Sequence, residues 1–206
     1  MKTVLLLCGI IGIAYARFSS SESCEGKLIW ITRGCPAGWT RFNRGTYGWC
    51  IRVFTGSYSQ TDCENRCKTQ GATLSGIQNQ NEAIAIGRAT MALISQPSGT
   101  VRIGLYRTVA CSTAPLSTRC NSMNSFWWTD RTTTGTDGLL WNNNQPDNAR
   151  AQTQRCAVLL ASNTATVVDQ WTWQANRLDD IGCNYAPPGD HPRGVRAFVC
   201  GKKATV

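Results

Sequence analysis

Short runs of alternating apolar and polar residues cover most of this chain, and the period of each run predicts an element. Residues 35–42 (Cys-Pro-Ala-Gly-Trp-Thr-Arg-Phe) and 48–54 (Gly-Trp-Cys-Ile-Arg-Val-Phe) read as two strands joined around Asn43-Arg44-Gly45. Upstream, Leu28-Ile29-Trp30-Ile31 predicts one further strand. Ser59 to Gln70 predicts a helix that Ser59 caps and Gly71 ends. It has almost no apolar stripe, and its anchors are Cys63 and Cys67. On one helix their Cβ atoms lie ~5–6 Å apart, beyond the span of a disulfide. The two must therefore tie the helix to separate elements. A second helix opens at Asn81-Glu82, carries Ile84, Ile86, Ala89, Met91 and Leu93, and ends near Ile94, ahead of Pro97. Val101–Leu105, Phe126–Thr129, Cys156–Leu160, Gln170–Trp173, Leu178–Cys183 and Val195–Cys200 predict further strands. Between them, Asp130 to Gln154 is mostly Thr, Gly, Asn, Gln and Asp. A loop that long inside a domain is functional or disordered. Strands, two helices, then many short strands around one long loop make an α+β fold.

The ends and the composition set the compartment. Residues 1–16 read as a secretory signal: Lys2, an apolar core from Val4 to Ala14, and the small-x-small site Ala14-Tyr15-Ala16. The apolar run is too short to span a bilayer, and no later run is longer. The expected mature chain is secreted and starts at Arg17, with a Ser-rich extension over 17–34 and one domain over 35–206. Cys8 is lost with the signal, which leaves ten of the 11 cysteines. An even count in a secreted chain implies disulfides. Zinc is disfavoured by the single histidine, His191, and by the lack of paired C-x-x-C knuckles. After removal of Lys2, 20 Lys and Arg stand against 12 Asp and Glu, a net charge of +8. The arginines are spread rather than clustered. That points to anionic surfaces such as acidic glycans and away from nucleic acid. A hydrolase is disfavoured too. His191 stands between Asp190 and Pro192 as a loop residue, and the neighbours Asp179 and Asp180 point apart on an extended chain.

One stretch carries the candidate chemistry: Trp141-Asn142-Asn143-Asn144-Gln145-Pro146-Asp147-Asn148. A Gln-Pro bond can be cis in a tight turn, which would aim the oxygens of Gln145 and Asp147 at one point. Two hard oxygen donors begin a Ca²⁺ site, which takes about 6–8 oxygens. The same residues are also ordinary turn chemistry.

Taken in order, these segments resemble the C-type lectin-like domain. Cys35-Pro-Ala-Gly-Trp39 and Trp49-Cys50-Ile-Arg-Val-Phe54 resemble its opening hairpin, and residues 67–74 the end of its first helix. Ile103-Gly104-Leu105 is similar to its Trp-Ile-Gly-Leu strand, with Arg102 in place of Trp. Gln145-Pro146-Asp147, Cys156, Asp179-Asp180-x-x-Cys183 and Phe198-Val199-Cys200 follow its long loop and last strands. The resemblance implies Cys67–Cys200 and Cys156–Cys183 as core bridges and Cys35–Cys50 closing the hairpin. Cys111–Cys120 is then local and Cys24–Cys63 is left by elimination. It also implies a Ca²⁺ site that binds sugar hydroxyls directly, with Gln145, Asp147, Asp179 and Asp180 as ligands. Gln154 stands where a Glu is usual, and Asp179 where an Asn is usual. The family's Gln-Pro-Asp suggests galactose-type sugars, yet residues 148–152 contain no aromatic to stack on one. The expected function is a secreted carbohydrate-binding protein, calcium-dependent, in recognition of microbial or self glycans. The alternative is a calcium-free module that binds a protein or anionic surface.

Overall fold

The computed structural model describes residues 34–168, 170–185 and 191–205. The signal sequence, residues 17–33 of the extension with the Leu28–Ile31 strand, and Cys24 lie outside the described residues. Strands β1 (Thr40–Arg44) and β2 (Tyr47–Thr55) form the expected hairpin. Helix α1 (Gln60–Thr69) follows, then β3 (Thr73–Leu74), helix α2 (Gln80–Met91) and β4 (Ser98–Arg107). Next come β5 (Phe126–Trp128), the long loop, β6 (Cys156–Ser162), β7 (Thr166–Val168), β8 (Trp171–Trp173), β9 (Leu178–Ile181) and β10 (Val195–Lys203).

The main sheet runs β1-β2-β10-β4-β6-β9, with β3 added to β10 and β5 to β4, while β7 and β8 form a separate ribbon. One pair departs from the antiparallel order of the rest, because β10 pairs β4 in parallel, Ala197 opposite Val101. The last strand enters the middle of the sheet between β2 and β4. It runs antiparallel to β2 and parallel to β4.

Period-2 alternation explains the core. Trp49, Ile51 and Val53 of β2, Ala197 and Val199 of β10, and Val101, Ile103 and Leu105 of β4 point to one side and pack on Ala83 and Ile86 of α2. On the other side, Cys50 and Phe54 of β2 and Phe198 and Cys200 of β10 meet Cys63 and Cys67 of α1. Ser59 caps α1 by accepting the Asp62 N–H at 3.1 Å. Asn79 caps α2 by accepting the N–H groups of Asn81 and Glu82.

Four bridges close: Cys35–Cys50, Cys67–Cys200, Cys111–Cys120 and Cys156–Cys183. Cys63 is buried and bonds no described cysteine, its expected partner Cys24 lying outside the described residues. Burial pushes the Cys63 thiol up to about 12, so as a free thiol it would stay protonated.

Gly104 is needed where β4 passes β3. Its N–H donates to Ser75 O at 2.8 Å, and a Cβ there would lie 2.3 Å from Leu74 O. Gly104→Ala must push two backbones apart. It should cost about 1–3 kcal/mol, the range of overpacked cores, read from the urea midpoint.

Candidate functional site

The long loop is held by side-chain amides. Asn142 accepts the Gln174 N–H at 3.0 Å and donates to Thr172 O at 3.1 Å. Asn148 accepts the Gln154 N–H at 3.2 Å and donates to Ser112 O and Ala114 O, which ties the loop to the Cys111–Cys120 segment. Trp141 packs on Phe126 and donates from Nε1 to Ser122 O at 2.7 Å. Between these anchors the Gln145–Pro146 bond is cis. Gln145 Oε1 accepts the Asp147 N–H at 3.0 Å, so the two side chains close on one small turn.

Strand β9 supplies the opposite wall. Asp179 pairs in register with Val158 and Asp180 with Ala157, so the two carboxylates leave the strand on opposite faces. Asp180 lies beneath the loop with its side chain fully buried. Its Oδ1 accepts the Asp147 N–H at 3.1 Å, and its Oδ2 accepts the Asn148 N–H at 2.9 Å and the Arg107 guanidinium. Arg107 also donates from Nε to Gln154 O at 2.8 Å and lies 4.6 Å from the Phe126 ring centroid. Asp179 is ion-paired with Arg193, which lies over the rings of Trp171 and Trp173 at 5.6 and 5.3 Å. Burial pushes the Asp179 carboxyl up to about 7, against the pull of Arg193. It pushes Asp180 up to about 6, against Arg107 and the Asn148 N–H.

A polar cleft of about 260 Å³ opens between these walls, lined by Gln145, Asp147, Gln154, Asp179, Arg150, Trp171 and Arg193, with Ala149. Four of the five residues expected at the site thus line one cleft, and Asp180 sits under its floor as an anchor for the loop. Arg150, Gln154 and Arg193 also line an adjoining cleft of about 130 Å³, with Tyr185. A wider groove of about 360 Å³ between the β1–β2 hairpin and α2 is mostly apolar, and Arg52 is its one charged lining residue.

Three lining or supporting groups escaped sequence reasoning. Arg107 and Arg193 carry no motif. Trp171 is read from sequence only as part of a strand, yet it provides the aromatic wall that residues 148–152 lack.

The donor set does not fit Ca²⁺ as arranged here. Asp180 has three of its roughly four acceptor positions filled by N–H donors. Asp179 is engaged by Arg193, Asp147 Oδ1 by the Ala149 N–H, and Gln145 Oε1 by the Asp147 N–H. Among the described residues no three Asp, Glu, His or Cys side chains come together as a metal cage. The expected ligand set of Gln145, Asp147, Asp179 and Asp180 is therefore brought together in space but engaged by protein donors, chiefly two arginines.

Solved structures share this fold. Herring type II antifreeze protein matches with a TM-score of 0.53 at 22% identity, over 83% of this chain and all (100%) of that one. The cow C-type carbohydrate-recognition domain of CD23, solved in the presence of a GlcNAc2Man3 oligosaccharide, matches with a TM-score of 0.52 at 17% identity, over 84% and 98%. The mouse scavenger receptor C-type lectin carbohydrate-recognition domain matches with a TM-score of 0.51 at 19% identity, again over 84% and 98%. At such identities the likeness speaks for the fold. The family follows from the model for C-type lectin domain-containing protein 141/158, which matches residues 38–203. With the opening hairpin, the two helices, the bridged last strands and the long loop all inside that match, the chain belongs to the C-type lectin domain-containing protein 141/158 family.

Proposed function

We propose that this chain is an extracellular carbohydrate-binding module that takes a glycan in the cleft between the long loop and β9. One observation carries the reading: Gln145, Asp147, Gln154 and Asp179 line a single polar cleft whose apolar wall is Trp171. A sugar offers hydroxyls that both donate and accept, together with an apolar ring face. Asp147 is exposed at the rim and accepts from hydroxyls. Gln154 lines the same cleft, and its Oε1 is buried without a donor among the described residues. Trp171, half-buried, can stack on the ring face. The four disulfides support the extracellular setting.

The cleft is shallow and small, so one sugar should bind weakly, near ~1 mM, about −4 kcal/mol. Useful binding then requires multivalent display. A multimerised fusion of the domain on a glycan array should bind a defined subset of glycans. Asp147→Ala and Trp171→Ala should each weaken that binding at least about tenfold, roughly 1.4 kcal/mol, with the far-UV circular dichroism of the folded domain retained. Loss of signal on every glycan would leave the calcium-free protein- or surface-binding module in its place.

A further inference from the structure

We propose that Arg107 and Arg193 are the resident cations of this site, standing in the place a Ca²⁺ ion would otherwise take. The inference deepens the carbohydrate reading, because it states how that cleft is held in shape.

The charge balance is the first argument. Asp147, Asp179 and Asp180 bring three negative charges into one loop region. The side chains of Asp179 and Asp180 are only 2% and 0% exposed. Burying a carboxylate with no counterion costs several kcal/mol, so something must neutralise them. Each has its own guanidinium: Arg107 on Asp180, Arg193 on Asp179. Together the two carry the +2 of one Ca²⁺, and the region keeps the same net charge.

Geometry is the second. An ion in such a site ties the loop to β9. Arg107 makes that tie itself, by donating from one guanidinium to Gln154 O at the loop's end and to the Asp180 carboxylate on β9. Arg193 joins the segment before β10 to β9 through Asp179. Each guanidinium is backed by aromatic rings, Phe126 behind Arg107 and Trp171 and Trp173 behind Arg193. Arg107, held by a carboxylate, a carbonyl and a ring face, is fixed beneath the loop, and Arg193, held by a carboxylate and two ring faces, is fixed in the cleft wall. The Asp147 and Asn148 N–H groups complete the closure on Asp180.

The test is thermal unfolding of the disulfide-bonded protein in EGTA and in millimolar CaCl₂, alongside calorimetric titration with CaCl₂. The wild type should melt at the same temperature in both and give no binding heat. Arg193→Gln, at a side chain 23% exposed and so tolerant of change, should melt lower in EGTA. It should recover part of the loss in CaCl₂, because a carboxylate is now free for the ion. Arg107→Gln serves as the second variant and should respond in the same direction. A wild type whose melting temperature rises with Ca²⁺ would overturn the proposal, and so would two variants that gain no response to it. These readouts contain no sugar, so a failed glycan array would refute the carbohydrate reading and leave this one standing.

Discussion

Arg44→Met should destabilise the protein by about 3–5 kcal/mol, the cost of breaking a buried ion network by removing one partner. Arg44 ends β1 and is 3% exposed. It grips Glu82, in the first turn of α2, with two bonds of 2.8 and 2.6 Å. The same guanidinium reaches Thr133 Oγ1 at 2.9 Å, Gly76 O at 3.0 Å and Asp130 Oδ2 at 3.4 Å, and lies 4.8 Å from the Trp49 ring centroid. One side chain thus joins the hairpin, the start of α2 and the head of the long loop. Without it, two buried carboxylates share no cation, and Glu82 keeps only the Gln78 N–H. A surface ion pair lost in the same way would cost about 0–1 kcal/mol, so the urea midpoint separates the two cases. Asp130 adds a pH signature. Burial raises its carboxyl, but the Thr133, Thr132 and Gly76 donors outweigh that and hold it below the ordinary carboxylate value. A depressed folded value contributes stability above the unfolded value, near pH 4. That stability is lost as pH falls through the folded value. Asp130→Asn should flatten the acid limb of the stability curve below about pH 4, as followed by tryptophan fluorescence.

Replacing Cys67 and Cys200 together by alanine should cost about 4–5 kcal/mol. The bridge closes a separation of 133 residues, and loop-closure entropy grows with the logarithm of loop length. By the same relation the Cys111–Cys120 bridge, with a separation of nine, contributes about 3 kcal/mol. Removing the long bridge should therefore cost more by about 2 kcal/mol. Native contacts sharpen the contrast. Helix α1 buries only Gln60, Cys63 and Cys67 and has no apolar stripe to hold it once Cys67 is cut loose. Both cysteines are fully buried. Denaturant unfolding of the two double variants measures the difference. Equal losses would mean that the native packing of α1, rather than the long loop, sets its stability.

Several features were legible because they are local or covalent. Alternation places the β1–β2 hairpin, continuous apolar runs place β6 and β10, and the Ser59 cap with Gly71 brackets α1. The i, i+4 cysteines could not pair with each other, and Cys67 does reach across to β10. The order of motifs resembled the family that the chain proves to belong to. Helix α2 begins one residue earlier than read and ends three earlier, at Met91, where Ala92 begins a turn.

Other features exist only once the chain is folded. Net positive charge with spread arginines suggested an anionic partner, yet Arg44, Arg102 and Arg107 are 3%, 0% and 2% exposed. Arg102 fills the interior position where the family resemblance expects tryptophan, donating to Gly182 O and Tyr185 O. Asn43-Arg44-Gly45 reads as a turn, but only β1's path over α2 turns the Arg44 side chain inward onto Glu82. Gln145, Asp147, Asp179 and Asp180 were recognisable as an oxygen-rich set, whereas their neutralisation was not. Arg107 lies 73 residues before Asp180 and Arg193 lies 14 after Asp179. Local periodicity and spacing carry secondary structure and covalent ties, because those depend on neighbours in the chain. Which charge meets which carboxylate depends on strands packed from distant segments, and only the tertiary structure decides it.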